Sequence, residues 1–285
     1  MSEPSSNSLS PDVTRHAWIP HPLWLLAVAV VLLGAAIASN IYLHPTARLI
    51  REVKALGGGV GSEYDGPQWL SEWIDESKLT MFHRIDSINL DKTAVTDGWM
   101  TRLSGRQDVK YLQLSQTRIG DVGIANLHVL PNLRDLNLFE SQIGDEALKS
   151  LKRFPHLKRL PMGHTHVTDE GLVHLSEMPQ LEYVGVRGDA VTDAGLVNLE
   201  GLTNLTGLYL GETRVTDAGL VHLRHMKKLK VLYLDSVAVT DAGLQHLKQL
   251  PSLTSLTIYD TLVTAAGVAD LKAALPELEV EESRR

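Results

Sequence analysis

Seven aspartates recur at one fixed interval, from Asp97 and Asp121 to Asp217 and Asp241, and three histidines, His174, His222 and His246, fall on multiples of that interval. Carboxylates and imidazoles in regular array could in principle hold a metal or move protons. The interval itself argues against that reading: these residues recur because something larger is being copied, and each has a local structural task. His164-Thr165-His166 could bring two imidazoles together, but a zinc site needs a third ligand and a supporting shell. The chain contains no cysteine, which removes disulfides, thiolate nucleophiles and cysteine-based zinc sites. G-x-S-x-G, H-E-x-x-H and calcium-loop patterns are absent from the sequence. Gly57-Gly58-Gly59-Val60-Gly61-Ser62 lacks the Lys-Ser/Thr of a phosphate loop and reads as a helix stop followed by a turn. A net charge of −7 lacks the basic footprint of nucleic-acid binders. The expectation is a protein without catalytic residues, cofactor or metal.

The copied element is clearest in three consecutive stretches of equal length, Val191–Arg214, Val215–Ala238 and Val239–Leu262, each opening Val-Thr-Asp-Ala-Gly-Leu. Further full copies start at Val95, Ile119, Ile143 and Val167; a degenerate copy starts at Ser71 and a terminal fragment at Val263. With positions numbered from that opening, position 9 is Leu from Leu103 to Leu271, and positions 15, 18 and 20 give L-x-x-L-x-L, as in Leu205, Leu208 and Leu210. A short repeat at fixed period specifies a solenoid. These residues resemble the leucine-rich repeat, with Thr mostly standing where that pattern has Asn or Cys. The V-T-D-A-G-L opening is similar to bacterial membrane-anchored leucine-rich-repeat proteins and to the cysteine-containing subclass found in ubiquitin-ligase adaptors. The resemblance covers about residues 71–278. It implies an α/β leucine-rich-repeat solenoid, a curved parallel sheet inside and helices outside.

The physics of one unit agrees. Alternation at positions 18 to 20 has the period of a strand, while apolar positions 6, 9 and 12 share one face of a helix. The Asp of position 3 is expected at the helix N-cap, and Pro131, Pro155, Pro179 and Pro251 are expected to stop the helices. A lone unit cannot bury both apolar faces, so neighbours must stack. The hydroxyls of Thr93, Thr117, Ser141, Thr165, Thr213 and Thr261, at position 23, are expected to bond the backbone of the loop leaving the strand. Asp189 and Val237 interrupt that series, and looser loops are expected there.

Ahead of the repeats, residues 1–21 are Ser- and Pro-rich and read as a disordered tail. Residues 22–44 read as a transmembrane helix: Leu23 to Leu43 is uncharged, about 31 Å long as a helix, and bounded by Trp24 and Tyr42. The rival reading is a cleaved signal peptide ending near Ala36-Ile37-Ala38. Arg15 precedes the segment and Arg48, Arg51 and Lys54 follow it, a small bias toward cytoplasmic repeats. Residues 45–70 read as a juxtamembrane helix and the start of an N-terminal cap, and residues 71–285 as the solenoid. Trp69, Leu70, Trp73 and Ile74 would share one face of a helix, Pro67 to Glu76, covering the first repeat. Pro276 lies one position later than Pro251, so the last unit reads as a slipped polar cap.

Candidate function falls on the sheet face. Strand side chains alternate, so positions 17, 19 and 21 point away from the core. They hold Tyr111, Phe139, Arg159, Tyr183, Arg187, Tyr209, Tyr233, Asp235 and Tyr259, including five of the seven tyrosines. Tyr is a good strand former, yet Tyr with Arg is also the composition of binding hot spots. The reading is a non-catalytic interaction module at a membrane, binding an unknown protein or peptide on this face, with no nucleic-acid partner. The alternatives are a cell-envelope structural or adhesion protein contacting polysaccharide, and a substrate adaptor like the ubiquitin-ligase relatives, against which stands the membrane segment in place of a recruiting domain.

Overall fold

The computed structural model describes residue 31, residues 44–128 and residues 130–282. The expected transmembrane segment lies outside the described residues; among those described, no helix is long and apolar enough to cross a membrane. The compact unit Pro45–Arg285 carries the architecture.

Ten strands form one sheet in sequence order: β1 Gly59–Tyr64, β2 His83–Asn89, β3 Tyr111–Gln113, β4 Asp135–Asn137, β5 Arg159–Pro161, β6 Tyr183–Gly185, β7 Gly207–Tyr209, β8 Val231–Tyr233, β9 Ser255–Thr257 and β10 Glu279–Glu281. From β2 onward every pairing is parallel and joins equivalent residues of successive units, such as Tyr111 with Asp135 and Arg159 with Tyr183. Each sequence position therefore becomes a ladder across the sheet. Even β10 keeps this register, Val280 opposite Leu256, so Pro276 shifts the loop and not the strand. Behind the sheet, Leu196, Leu199, Leu202, Leu205, Leu208 and Leu210 of one unit are all fully buried, as are their counterparts in neighbouring units. Each such side chain contributes roughly 2 kcal/mol by leaving water.

The helices are shorter than the apolar spacing suggests. Asp169–Leu172, Asp193–Leu196 and Asp217–Leu220 are single α turns that tighten into 3-10 turns at Val173–Glu177, Val197–Leu199 and Val221–Leu223. The N-cap assignment also needs correction. The capping residue is the Thr of position 2: Thr192 accepts from the Ala194 N–H, and Thr168, Thr216 and Thr240 behave alike. The Asp one position later reaches forward to the next unit. Asp193 accepts the Thr216 N–H at 2.7 Å and the Thr216 hydroxyl at 2.6 Å. Asp145, Asp169, Asp217 and Asp241 repeat both bonds to Thr168, Thr192, Thr240 and Thr264. The Gly of position 5 makes room for this: a Cβ on Gly195 would overlap the Asp169 carboxylate, and the same holds at Gly171, Gly219 and Gly243. Val-Thr-Asp-Ala-Gly-Leu thus encodes core, cap, link, surface, clearance and core.

The position-23 hydroxyls act as expected in five units, donating to the carbonyl three residues earlier at 2.6 to 2.7 Å in Thr93, Thr117, Ser141, Thr213 and Thr261. The residue before each is left-handed in every unit: Lys92, Gln116, Glu140, His164, Gly188, Glu212, Ser236 and Asp260 have φ between 54° and 74°. Only one of the eight is glycine.

The N-terminal cap differs from expectation. Helix Pro45–Ala55 buries Leu49, Ile50 and Val53 against the first repeat and stops at Gly57, whose φ is 87°. Gly59 then opens β1, a strand rather than a turn, antiparallel to β2. Helix and β1 together close the end of the core. The tryptophan stretch does not: its helix is only Gln68–Ser71 and buries nothing, and Trp69 and Trp73 stand 63% and 84% exposed.

Candidate binding face

The front of the sheet carries one side chain of positions 17, 19 and 21 on each strand, and ten strands at about 4.8 Å make it roughly 43 Å wide. Its centre is a ladder running from β4 to β8. Asp135 on β4 accepts from Arg159 on β5 at 3.0 Å. The Arg159 guanidinium lies 4.5 Å from the ring centre of Tyr183 on β6, a cation–π contact. Tyr183 meets Tyr209 of β7 at 4.8 Å, and Tyr209 stacks on Tyr233 of β8 at 4.1 Å with planes 14° apart. Parallel register is the reason: Tyr209 and Tyr233 occupy the same position in adjacent units. Gly207 leaves space for the Tyr183 ring, which a Cβ would crowd. Burial in this row pushes the Tyr183 phenol up, with the Tyr209 neighbour adding to it; burial and then Tyr233 do the same for Tyr209. Both phenols are therefore neutral at any physiological pH, and their hydroxyls bond along the row, Tyr183 with Tyr209 and Tyr209 with Tyr233.

A second cluster lies at the outgoing ends of the strands. Arg187 binds Glu212 at 2.5 Å and Asp235 at 2.8 Å, and also bonds the Tyr259 side chain. Asp235 is fully buried, and Arg187 meets it by charge, off the axis of a hydrogen bond, so both its oxygens lack a hydrogen-bond donor. His164 lies edge-on to Phe139 at 5.3 Å and 3.7 Å from Glu212.

Asp189 stands beside this cluster, where other units have a hydroxyl. Its Oδ1 accepts the Thr165 N–H at 2.6 Å and the Thr165 hydroxyl at 3.1 Å. Thr165 thus turns away from the role its counterparts play. Asp189 Oδ2 is buried without a partner. Burial pushes this carboxyl up to about 7; the Thr165 bonds oppose the rise and the Asp145 charge adds to it.

Of the nine residues singled out from the sequence, Arg159, Tyr183, Tyr209 and Tyr233 form the ladder, and Arg187, Asp235 and Tyr259 the charged cluster. Tyr111 stands apart at the rim of β3, 41% exposed. Phe139 joins neither group and packs its ring against His164. Asp235 needs correction: it is beneath Arg187 and orients it, rather than meeting a partner itself. Sequence reasoning passed over Glu212, because position 22 looks like a loop residue when alternation is the only guide. The His164-Thr165-His166 pair lies at the loop, and among the described residues no group of three or more metal-ligating side chains occurs.

A family model described as "Leucine Rich repeat" matches residues 129–152 and 155–176. Among solved structures, the chain is similar to an internalin C2 from Listeria monocytogenes, with a TM-score of 0.56, 22% identity, and coverage of 74% of this chain and 84% of that one. It is also similar to an internalin F of the same organism, with a TM-score of 0.53, 22% identity and coverage of 74% and 64%. No curated protein matches the sequence. Period, register, position-specific bonds and these likenesses agree on the fold: the stacked units form a leucine-rich-repeat solenoid.

Proposed function

We propose that this chain is a non-catalytic interaction module, held at a membrane by residues 23–43, that binds a protein or peptide on the sheet face between β5 and β9. The observation that carries this reading is the Arg159–Tyr183–Tyr209–Tyr233 ladder. Nothing in the core requires it, and Tyr and Arg held rigid in this way lose little entropy when a partner arrives. The ladder also favours peptide over polysaccharide. Sugars pack on ring faces, and here Tyr209 and Tyr233 cover one another and Arg159 lies over Tyr183. What the row offers is ring edges and hydroxyls, which suit backbone and side-chain acceptors.

A photoreactive side chain placed at Val231, on the face, is expected to give protein adducts in cells; the same group at Val197, on the back, is not. Tyr209→Ser with Tyr233→Ser should abolish the Val231 adduct while circular dichroism stays native. An adduct that survives the double substitution overturns the reading, and one displaced by soluble glycans favours the polysaccharide alternative.

A further inference from the structure

We propose that the exposed Trp69–Ile74 loop is a second membrane contact, lying in the headgroup layer of a zwitterionic bilayer; this rests on the reading of residues 23–43 as an anchor. Trp69, Trp73 and Ile74 are 63%, 84% and 38% exposed, and helix Gln68–Ser71 packs none of its residues into the core. Two neighbouring exposed tryptophans with no structural task call for an occupant, and tryptophan settles at membrane–water interfaces.

The location names the occupant. The turn at Gly57 joins helix Pro45–Ala55 to β1, and Gly58 packs beside Val53 and the outgoing end of β2 at Asn89. The helix therefore finishes where β1 begins. The helix also packs on the Thr80–Phe82 turn, at the opposite end of β2 from Asn89. β1 ends at that same edge, with Tyr64 opposite His83. The tryptophan loop leaves from Tyr64 and returns to Thr80. Pro45 and both ends of the tryptophan loop thus share one edge of the cap. The uncharged stretch ends at Leu43, just before Pro45, within about 7 Å of chain. A bilayer that takes up that stretch meets this edge first. The charges around the loop select the lipid: Asp65, Glu72, Asp75 and Glu76 are exposed beside the tryptophans against Lys78 alone, and Arg48 of the neighbouring helix is paired with Glu52. They repel anionic headgroups and suit the ammonium of choline or ethanolamine.

The chain has no native cysteine, which makes the test direct. The full chain carrying Gln68→Cys is labelled with an environment-sensitive fluorophore and reconstituted into phosphatidylcholine–phosphatidylethanolamine vesicles holding headgroup nitroxides. Strong quenching is expected at Gln68→Cys and little at Leu262→Cys in the last full repeat. Adding Trp69→Ser and Trp73→Ser should remove most of it, and so should replacing the lipid with phosphatidylglycerol. A chain stripped from the vesicles by alkaline carbonate overturns the anchor reading and this one with it. A chain that resists carbonate but shows no quenching at Gln68→Cys overturns only the loop contact. Equal quenching in anionic vesicles overturns the choice of lipid.

Discussion

The back edge of the solenoid and the front of its sheet are built from the same repeating unit and obey opposite rules. At the back, positions 2, 3 and 5 keep Thr, Asp and Gly through the later repeats, because each Asp must meet the next unit's Thr over that Gly. At the front, positions 17, 19 and 21 change from strand to strand, from Tyr111, Gln113 and Ser115 at β3 to Arg159, Pro161 and Gly163 at β5 and Val231, Tyr233 and Asp235 at β8. Uniform positions are where units hold each other; variable ones are free of that demand. Asp189 is where the two rules collide, since a scaffold position has taken a charge.

The largest effect is expected there. A carboxyl whose folded pKa of about 7 lies above its unfolded value costs nothing below about pH 4. Its stabilising protonated form is lost as pH rises through 7, and the full shift of roughly three units corresponds to about 4 kcal/mol. Asp189→Thr, which restores the common residue but gives up the two Thr165 bonds, should therefore change stability more favourably at pH 8 than at pH 4, by up to that amount. Urea denaturation at the two pH values reads this difference directly; an equal effect at both would mean that Asp189 is not the titrating group.

Next comes the back edge. Asp193→Ala removes two bonds to Thr216 and orphans a part-buried N–H, a loss of about 2 kcal/mol. Asp121→Ala should cost about half as much, since its neighbour Gly144 offers only a backbone N–H. If the two substitutions cost the same, the hydroxyl half of the link contributes nothing. The smallest effect concerns the left-handed position 22. Ser236→Gly relieves a φ of 56° and should raise stability by at most about 1 kcal/mol. Destabilisation would show that the serine side chain, and not backbone strain, governs that site.

Much of this was legible in the sequence because the period is strict. Leu205, Leu208 and Leu210 declare a strand and its inner face, and the tyrosines of positions 17 to 21 did land on the outer one. The errors share a physical cause. Asp193 looked like a cap because an acid next to a helix start usually is one; its true partner is Thr216 in the following unit, a contact that local reasoning cannot see. Trp69 and Trp73 looked like a core face because helical spacing was assumed over a stretch that is helical for one turn only. Asp235 looked like a surface residue because strand alternation reports direction and not whether a neighbour such as Arg187 lies over it.

The Asp–Thr link has a consequence for how such a chain can change length. Each full unit from Val167 onward holds one half of the link for the unit after it and the other half for the unit before. A segment one unit long, copied into the stack, arrives with both halves in place and restores the joins on either side, wherever the cut falls in the unit. A sequence coding for these later units can gain or lose a repeat in one recombination event and keep the Asp–Thr contacts along its back, so that only the front face is altered.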